Sequence, residues 1–348
     1  MPSSNKRPQS LRRVRKSLEN QKHLTPKHRV AKAAKQKEEP RIPKHERITE
    51  RQNPVSAGLD AKSTLDILWI INREDRKVAP AVAKVIPQIA RAVELTVKAA
   101  GEGGRLVYLG AGTSGRLGVL DAAECIPTFG TDSVIGVMAG APEAMFRPTE
   151  ASEDDPRLAV RDLRRIQFSR REVLVGISAS GRTPYVLGGL RYARRLGAKT
   201  VALTSNPDAP IRRLADVSIV AVVGPEVIAG STRMKAGTAQ KLVLNMLSTT
   251  VMVRLGRVFS NLMINVQLTN EKLRRRGRDI LVKTTGASPR AAARALEESR
   301  WRLPVALLML AKKVSRQEAA NLLQSGPSVG VVLRAAGIQA PAFRSSSL

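Results

Sequence analysis

The sequence predicts an α/β fold: a doubly wound parallel sheet flanked by helices, with a small C-terminal helical subdomain. Short apolar runs of strand length recur through the middle of the chain, and stretches of helical spacing separate several of them. This alternation is typical of parallel sheets, whose strands are buried on both faces. The chain has 348 residues, of which 43% are hydrophobic, so it is long enough to bury a sizeable core.

A basic tail over residues 1–48 precedes the predicted fold. Lysine and arginine are dense in it and prolines interrupt it, which predicts a disordered segment. The formal net charge of the chain is +30, a value at which nucleic acid must be considered as a partner. However, the tail lacks the helical apolar spacing of a helix-turn-helix, and the charge of the body is dispersed. We therefore do not expect nucleic acid to be the partner.

Two helices are predicted ahead of the sheet. Residues 63–73 have helical apolar spacing with Ser63 as a cap, and residues 79–100 continue in the same manner with a kink at Pro87. The next region alternates strands with helices. Its predicted strands are residues 105–109, 134–138, 173–177, 200–204 and 217–223, and its predicted helices are residues 183–196, 210–216, 231–255 and one that begins near Gly115.

The C-terminal part of the chain has helical patterns only. Short helices are predicted over residues 290–300, 304–312 and 315–324. The predicted domains are therefore the tail, a sheet domain over residues 49–285, and a small helical subdomain over residues 286–340.

The absence of histidine from the body restricts its chemistry. His23, His28 and His45 all lie in the tail, which argues against histidine general bases, Ser-His-Asp triads and histidine metal sites. Acid–base chemistry must then fall to carboxylates, lysine, tyrosine or Cys125. That lone cysteine excludes an intrachain disulfide and favours a reducing, cytoplasmic location. No segment has the apolar length of a membrane span, and the basic N-terminus lacks a secretory signal pattern.

The first candidate site is the loop GAGTSG at residues 110–115, which follows a predicted strand. It matches the glycine pattern of dinucleotide-binding folds, but that pattern also requires an acidic residue at the end of the next strand. The next strand is followed instead by AGA at residues 139–141. The loop carries the hydroxyls of Thr113 and Ser114 beside Gly112 at a helix start, an arrangement that suits a phosphate monoester.

A second hydroxyl-rich loop strengthens the phosphate prediction. Ser178, Ser180, Gly181 and Thr183 follow another predicted strand, and Pro184 lies in the first turn of the next helix. The alternative is that the serines and threonine simply cap that helix. Because two such loops lie on strands of one sheet, phosphate binding is the favoured interpretation.

Three longer strings carry a specific resemblance. They are LGAGTSGRLGVLDAAEC at residues 109–125, GSTRMKAGTAQKLVLN at residues 230–245 and TNEKL at residues 269–273. The two loops resemble those of a sugar isomerase (SIS) domain. The strings closely resemble the N-acetylmuramic acid 6-phosphate etherase family, over about residues 49–337. The resemblance implies that the sheet domain is of the SIS type.

The resemblance also implies a reaction. The family acts as a lyase that releases D-lactate from the 3-ether of N-acetylmuramic acid 6-phosphate and leaves N-acetylglucosamine 6-phosphate, in cell-wall amino-sugar recycling. In the open-chain sugar the C1 aldehyde activates the C2 proton; a base removes that proton, the C3 ether leaves, and water adds. These steps need two proton-transfer groups and no metal or other cofactor.

The family's two catalytic glutamates map onto Glu124 and Glu153. We assign Glu124 as the acid that protonates the departing oxygen and Glu153 as the base at C2, and the reverse assignment stays open. A carboxyl group acts as an acid near neutral pH only if burial or a like charge raises its pKa.

Ser231, Thr232 and Lys235 are further candidates for substrate binding. They precede or open the long helix, where an anion or the lactyl carboxylate would be held, or else they serve a subunit interface. The resemblance also implies a homodimer with a sugar phosphate as its ligand. Two positions depart from the family pattern: Ile126 stands where a proline is usual, and Ser152 where alanine is common.

Other functions fit parts of the pattern. An aldose–ketose phosphate isomerase on the same domain would also use a carboxylate at C2. A non-catalytic sugar-phosphate sensor would share the loops, but the presence of both Glu124 and Glu153 argues against it. A DNA-binding regulator with an SIS sensor would need a DNA-binding motif, which the tail lacks.

Overall fold

The computed structural model describes residues 47–147, 151–325 and 328–338. Nearly all of the predicted basic tail lies outside these residues. Within them, five parallel strands form one sheet in the order β2-β1-β3-β4-β5, with helices on both faces. The predicted doubly wound α/β class is confirmed. The strands are β1 (Leu106–Gly110), β2 (Val134–Met138), β3 (Val173–Ile177), β4 (Lys199–Thr204) and β5 (Val217–Val220).

The strands agree closely with the sequence pattern, because each is a short apolar run in a sheet covered on both faces. β2 and β3 have the predicted bounds. β5 is shorter than predicted, since its neighbour β4 ends at Thr204, opposite Val220. β1, β2 and β3 end level with one another: Gly110 pairs with Met138 on one side and with Ile177 on the other.

Three helices precede the sheet: α1 (Thr64–Asp75), α2 (Val78–Ala83) and α3 (Ile86–Gly101). Ser63 caps α1 as predicted, because its hydroxyl accepts a hydrogen bond from the Asp66 N–H. The single helix predicted over residues 79–100 is instead two helices that break at residues 84–85. Pro87 lies in the first turn of α3, where no N–H is required, so it starts a helix instead of kinking one.

The remaining helices alternate with the strands and then form the C-terminal region. They are α4 (Gly112–Phe129), α5 (Ala151–Asp154), α6 (Pro156–Arg165), α7 (Pro184–Leu196), α8 (Lys235–Arg254), α9 (Glu271–Thr285), α10 (Pro289–Glu298), α11 (Leu303–Lys312), α12 (Arg316–Ser325) and α13 (Val329–Ala335). The segment predicted as a helix over residues 210–216 is a 3-10 helix, Pro210–Leu214. α4 begins earlier than predicted, and α8 begins later.

Two cores cover the two faces of the sheet. Successive side chains of β1 alternate between them: Leu106 and Tyr108 pack with helices α2, α3, α4 and α8, whereas Val107 and Leu109 pack with α6 and α7. The helices that follow β1 and β3, α4 and α7, therefore lie on opposite faces. Because these two helices leave toward opposite faces, the sheet opens between the carboxyl ends of β1 and β3.

A third core joins the C-terminal helices and extends from Phe259 to Leu333. Ile280 and Leu281 of α9 pack in this core, so α9 groups with the later helices by packing. The predicted domain boundary between residues 285 and 286 stays a prediction. Among the helices of the described residues, none combines the length and apolar character needed to cross a membrane.

Candidate functional site

The sheet opens a crevice between the carboxyl ends of β1 and β3. The chain leaves β1 through α4 toward β2 on one side, and leaves β3 through α7 toward β4 on the other side. Parallel sheets bind ligands at such a switch in strand order, because the two connections diverge and leave room between them. Both hydroxyl-rich loops follow these two strands, so the fold brings the two predicted phosphate loops together.

The first predicted loop is itself the start of α4. Gly112 opens the helix with φ +52°, in the left-handed region that favours glycine. Thr113 and Ser114 therefore lie in the first turn, where backbone N–H groups have no acceptor within the helix. The N-cap residue of α4 is Ala111, whose side chain has no atom that could cap this helix end. An anion in the crevice would meet these N–H groups at the positive end of the helix dipole.

The second predicted loop is a compact hydroxyl cluster at the start of α7. The buried Ser178 Oγ lies 2.8 Å from Thr183 Oγ1 and 3.4 Å from Ser180 Oγ, and it accepts a hydrogen bond from the Gly181 N–H. Thr183 is the N-cap residue of α7, yet its hydroxyl makes no capping hydrogen bond. The capping alternative therefore does not account for Thr183. Its hydroxyl, with that of Ser180, is half-buried at the crevice.

The two predicted catalytic glutamates lie far apart in one chain. The Glu153 carboxylate lies against the first loop, with Oε1 3.1 Å from the position that a Cβ on Gly112 would take. Glu124 is exposed and lies twelve residues further along α4, about 18 Å along the helix axis. The structure therefore brings Glu153, but not Glu124 of the same chain, to the crevice.

Large apolar side chains are exposed on α4, the helix of Glu124, and on its neighbour α8. Leu120 and Ile126 are 43% and 41% exposed on α4. Met246 and Val253 are exposed on α8, which packs beside α4. Large apolar side chains that remain uncovered on two adjacent helices are typical of a protein–protein contact.

The third candidate string borders the first loop. A Cβ on Gly237 would lie 3.4 Å from Thr113 Cγ2 and 3.5 Å from the Thr232 carbonyl oxygen, so the start of α8 and the first loop are in near contact. Ser231 and Thr232 are half-buried in the turn that precedes α8. The structure thus gathers Thr113, Ser231 and Thr232 on one side of the crevice.

Lys235 differs from its sequence-based prediction. Its side chain is 1% exposed, and its Nζ lies 2.6 Å from Oε2 of Glu74, which is 2% exposed. Lys77 pairs with the other carboxylate oxygen of Glu74, and Asn53 donates a hydrogen bond of 3.0 Å. Burial alone would raise the pKa of Glu74, but the hydrogen bonds from Lys235, Lys77 and Asn53 lower that pKa to about 2. The Lys235 ammonium is therefore held in a buried ion pair.

The sequence suggested an anion site at the start of α8, but a carboxylate of the protein itself binds the N–H groups there. The carboxylate of Glu226, which is buried, accepts hydrogen bonds from the Lys235 and Ala236 N–H groups at 3.0 and 2.9 Å. Burial raises the pKa of Glu226, although these N–H groups oppose the shift. The protein's own carboxylate occupies this helix end, so the end is closed to a substrate anion.

Several residues of this region were not singled out from the sequence: Thr49, Glu74, Asn206 and Glu226. Asn206 directly follows β4, at the carboxyl edge of the sheet where ligands bind. That position is the one feature of the sequence that would have marked Asn206 as a candidate. The other three are recognisable only through contacts with distant parts of the chain.

Cys125 lies on the buried face of α4, beneath Glu124. Burial, together with the nearby Asp121, raises its pKa to about 11, so the group is a thiol at neutral pH. Cys125 is thus a small residue of the buried core. Among the described residues, no group of three or more His, Cys, Asp or Glu side chains has a geometry that would hold a metal ion.

Comparison with known proteins identifies the family. A model of the glucokinase regulatory protein N-terminal SIS domain matches residues 88–194, and a model of the SIS domain matches residues 163–250. The predicted SIS type of the sheet domain is confirmed. Among solved structures, a phosphoheptose isomerase from Neisseria gonorrhoeae is similar, with a TM-score of 0.40, 19% identity, and coverage of 52% of this chain and 93% of that chain.

Curated relatives are much more similar in sequence. An N-acetylmuramic acid 6-phosphate etherase from Edwardsiella ictaluri is 54% identical over 279 residues, which cover 80% of this chain and 93% of the relative. One from Yersinia pestis is 54% identical over 274 residues, with coverage of 78% and 93%. The identity therefore extends over nearly the whole length of these relatives, and the chain belongs to the N-acetylmuramic acid 6-phosphate etherase family.

Proposed function

We propose that this protein is a carbon–oxygen lyase that cleaves the D-lactyl ether of N-acetylmuramic acid 6-phosphate, giving N-acetylglucosamine 6-phosphate and D-lactate. The observation that carries the proposal is the pair of hydroxyl-rich loops at the β1–β3 crevice, with the Glu153 carboxylate against one of them. The loops supply hydroxyls and helix N–H groups for the 6-phosphate. The position of the carboxylate beside the first loop supports Glu153 as a proton-transfer group for the sugar.

The chemistry follows from the acidity of the open-chain sugar. Glu153 removes the C2 proton, which the C1 aldehyde makes acidic, and the C3–oxygen bond breaks as the unsaturated aldehyde forms. Glu124 gives its proton to the departing lactate oxygen. Water then adds at C3 and a proton returns to C2, so the net reaction consumes one water molecule. Each proton-transfer group must come within hydrogen-bond reach of its atom, about 3 Å.

That requirement leads us to propose a homodimer in which the partner completes each site. C2 and C3 are adjacent atoms, whereas Glu124 and Glu153 of one chain are separated by much of the length of α4. The exposed apolar side chains of α4 and α8, which include Leu120 and Ile126, support burial of these helices against a second copy. In the proposed dimer, Glu124 of one protomer reaches the crevice that holds Glu153 of the other.

The activity is tested by incubating the purified protein with N-acetylmuramic acid 6-phosphate and measuring D-lactate. Run in oxygen-labelled water, the elimination–addition route places the label on C3 of the sugar and leaves the lactate unlabelled. Unphosphorylated N-acetylmuramic acid is the control, and we expect little release from it. A folded protein that interconverts sugar phosphates without releasing lactate would support the isomerase alternative instead.

The composite site is tested by mixing two inactive variants, Glu124→Gln and Glu153→Gln. In a site shared between protomers, each hybrid dimer regains one intact site, so an equal mixture should recover about a quarter of the wild-type activity after subunit exchange. In a site built within one chain, both chains of a hybrid stay defective. No recovery, with subunit exchange demonstrated, would refute the shared arrangement.

A further inference from the structure

The backbone of the second loop is anchored from β4 at one carbonyl group. The Ala179 carbonyl oxygen accepts hydrogen bonds from Thr204 Oγ1 at 3.1 Å, from the Ser205 N–H at 3.1 Å and from Asn206 Nδ2 at 2.8 Å. The three donors lie at or just after the end of β4. A carbonyl oxygen has two lone pairs, so three donors saturate it and fix the direction in which it points.

This anchor determines the direction of the next N–H group. Since the peptide unit is planar and trans, the Ser180 N–H points opposite to the Ala179 carbonyl. The carbonyl points toward β4, and β1 lies on the other side of β3. The Ser180 N–H therefore points toward the crevice, and it has no backbone acceptor among the described residues. It is a donor aimed at the same space as the hydroxyls of Ser180 and Thr183.

Asn206 is in turn held by Thr49, near the start of the described chain. Asn206 Nδ2 donates its second hydrogen bond to Thr49 Oγ1 at 3.3 Å. The Thr49 carbonyl accepts a hydrogen bond of 3.0 Å from the Gly230 N–H, directly before Ser231. Thr49 is 1% exposed and Asn206 is 5% exposed, so water competes little for these hydrogen bonds. One buried threonine thus links the anchor of the second loop to the third candidate string.

We infer that Asn206 and Thr49 are positioning residues for the phosphate: they orient the Ser180 N–H toward the 6-phosphate of the substrate without touching it themselves. This inference rests on the proposed function, because it assigns a phosphomonoester to the crevice. It also makes Thr49, which precedes the first predicted helix, part of the support of the site. Asn206 donates a hydrogen bond that fixes the Ala179 carbonyl. Thr49 holds the side-chain amide of Asn206 in the orientation that reaches this carbonyl.

The test compares the affinities of three variants for N-acetylglucosamine 6-phosphate and for N-acetylglucosamine, measured by calorimetry on the full chain. Asn206→Ala should weaken binding of the phosphorylated sugar about tenfold, the effect of one hydrogen bond to a charged group, and leave the unphosphorylated sugar unchanged. Thr49→Val should cause a smaller loss of the same kind. Thr49→Ser retains the acceptor oxygen and should restore wild-type affinity.

The phosphate-specific loss separates positioning from general destabilisation. A purely structural role would reduce the binding of both sugars or only the thermal stability. Asn261→Ala, at an exposed asparagine outside the site, is the matched control and should bind like wild type. In turnover, the defect should appear as a raised KM for N-acetylmuramic acid 6-phosphate, with kcat little changed.

The outcomes distinguish the inference from the proposed function. If wild type releases D-lactate and Asn206→Ala binds N-acetylglucosamine 6-phosphate as tightly as wild type, the positioning role is refuted. If wild type releases no lactate, the proposed function fails. Competition by inorganic phosphate then tests separately whether the second loop binds phosphate. If Asn206→Ala does not fold, the comparison of Thr49→Val with Thr49→Ser decides, and equal affinities in those two variants would overturn the inference.

Discussion

Replacing Lys235 by methionine should lower the free energy of unfolding by about 3 kcal/mol. The replacement leaves the Glu74 carboxylate 2% exposed and without its buried cation, whose Nζ lies 2.6 Å away. Removal of one partner from a buried ion pair typically costs about 3–5 kcal/mol, because the remaining charge stays out of water. The lower end of that range applies here, since Lys77 and Asn53 still contact Glu74.

The lowered pKa of Glu74 reflects the combined effect of Lys235, Lys77 and Asn53 on this buried carboxylate. A pKa lowered from 4.5 to about 2 corresponds to about 3 kcal/mol of stabilisation at neutral pH. A carboxyl group whose pKa is lower in the folded state stabilises the fold above its unfolded pKa. That contribution is lost as the pH falls from about 4.5 toward 2. The difference in unfolding free energy between wild type and Glu74→Gln should therefore become smaller as the pH falls through this range.

The assay is equilibrium unfolding in urea, followed by circular dichroism. The matched control is Lys199→Met, which should change the unfolding free energy by less than about 0.5 kcal/mol. The Lys199 side chain is 58% exposed, and its Nζ lies 3.9 Å from Asp216 Oδ1. The double variant Glu74→Gln, Lys235→Met removes both buried charges and should recover part of the loss. A Lys235→Met protein within 1 kcal/mol of wild type, or a double variant no better than the single one, would refute the reasoning.

Three further predictions concern a turn, a thiol and a cap. Gly181→Ala should lower the unfolding free energy by about 2 kcal/mol, measured in urea, because Gly181 has φ +67° and the new Cβ would lie 2.2 Å from Ala209 Cβ. Cys125, with its pKa raised to about 11 by burial, should not react with a thiol reagent at pH 8 until urea unfolds the chain; equal rates in both states would contradict this. Ser63→Ala should cost about 1 kcal/mol in the same unfolding assay, while Ser63→Asp, which keeps a capping acceptor, should cost little.

The parts of the fold that the sequence predicted are those with local causes. β2 and β3 were predicted to the residue, because a buried parallel strand is a continuous apolar run with polar or glycine-rich ends. α4 was predicted to begin near Gly115, since glycines disfavour helices. In the structure these glycines serve close packing: a Cβ on Gly115 would lie 2.6 Å from Met138 Cγ. Tertiary contact with β2 therefore overrides the local preference.

In the candidate site, too, the features with local causes were predictable and those that depend on long-range packing were not. The two hydroxyl-rich loops were predictable, since each is a local string after a strand, and the parallel sheet necessarily aligns their strands. The pair of Lys235 with Glu74 was not predictable, because the two residues are separated by 161 positions and neither carries a local pattern. The exposure of Glu124 in a single chain was equally hidden, since the sequence does not show on which side of α4 the core lies until the packing is known.

The hydrogen bonds of Thr49 also bear on the order in which the chain folds. Thr49 and Asn206 are separated by 157 positions, and closing so long a loop loses entropy before any contact compensates for it. The Ser178 N–H, by contrast, bonds to the Leu203 carbonyl across one strand connection. In pulse-labelled hydrogen exchange during refolding, the Ser178 amide should become protected before the Gly230 amide, which bonds to Thr49. We then expect the segment around Thr49 to dock last, so that full affinity for sugar phosphate is reached only in the final step of folding.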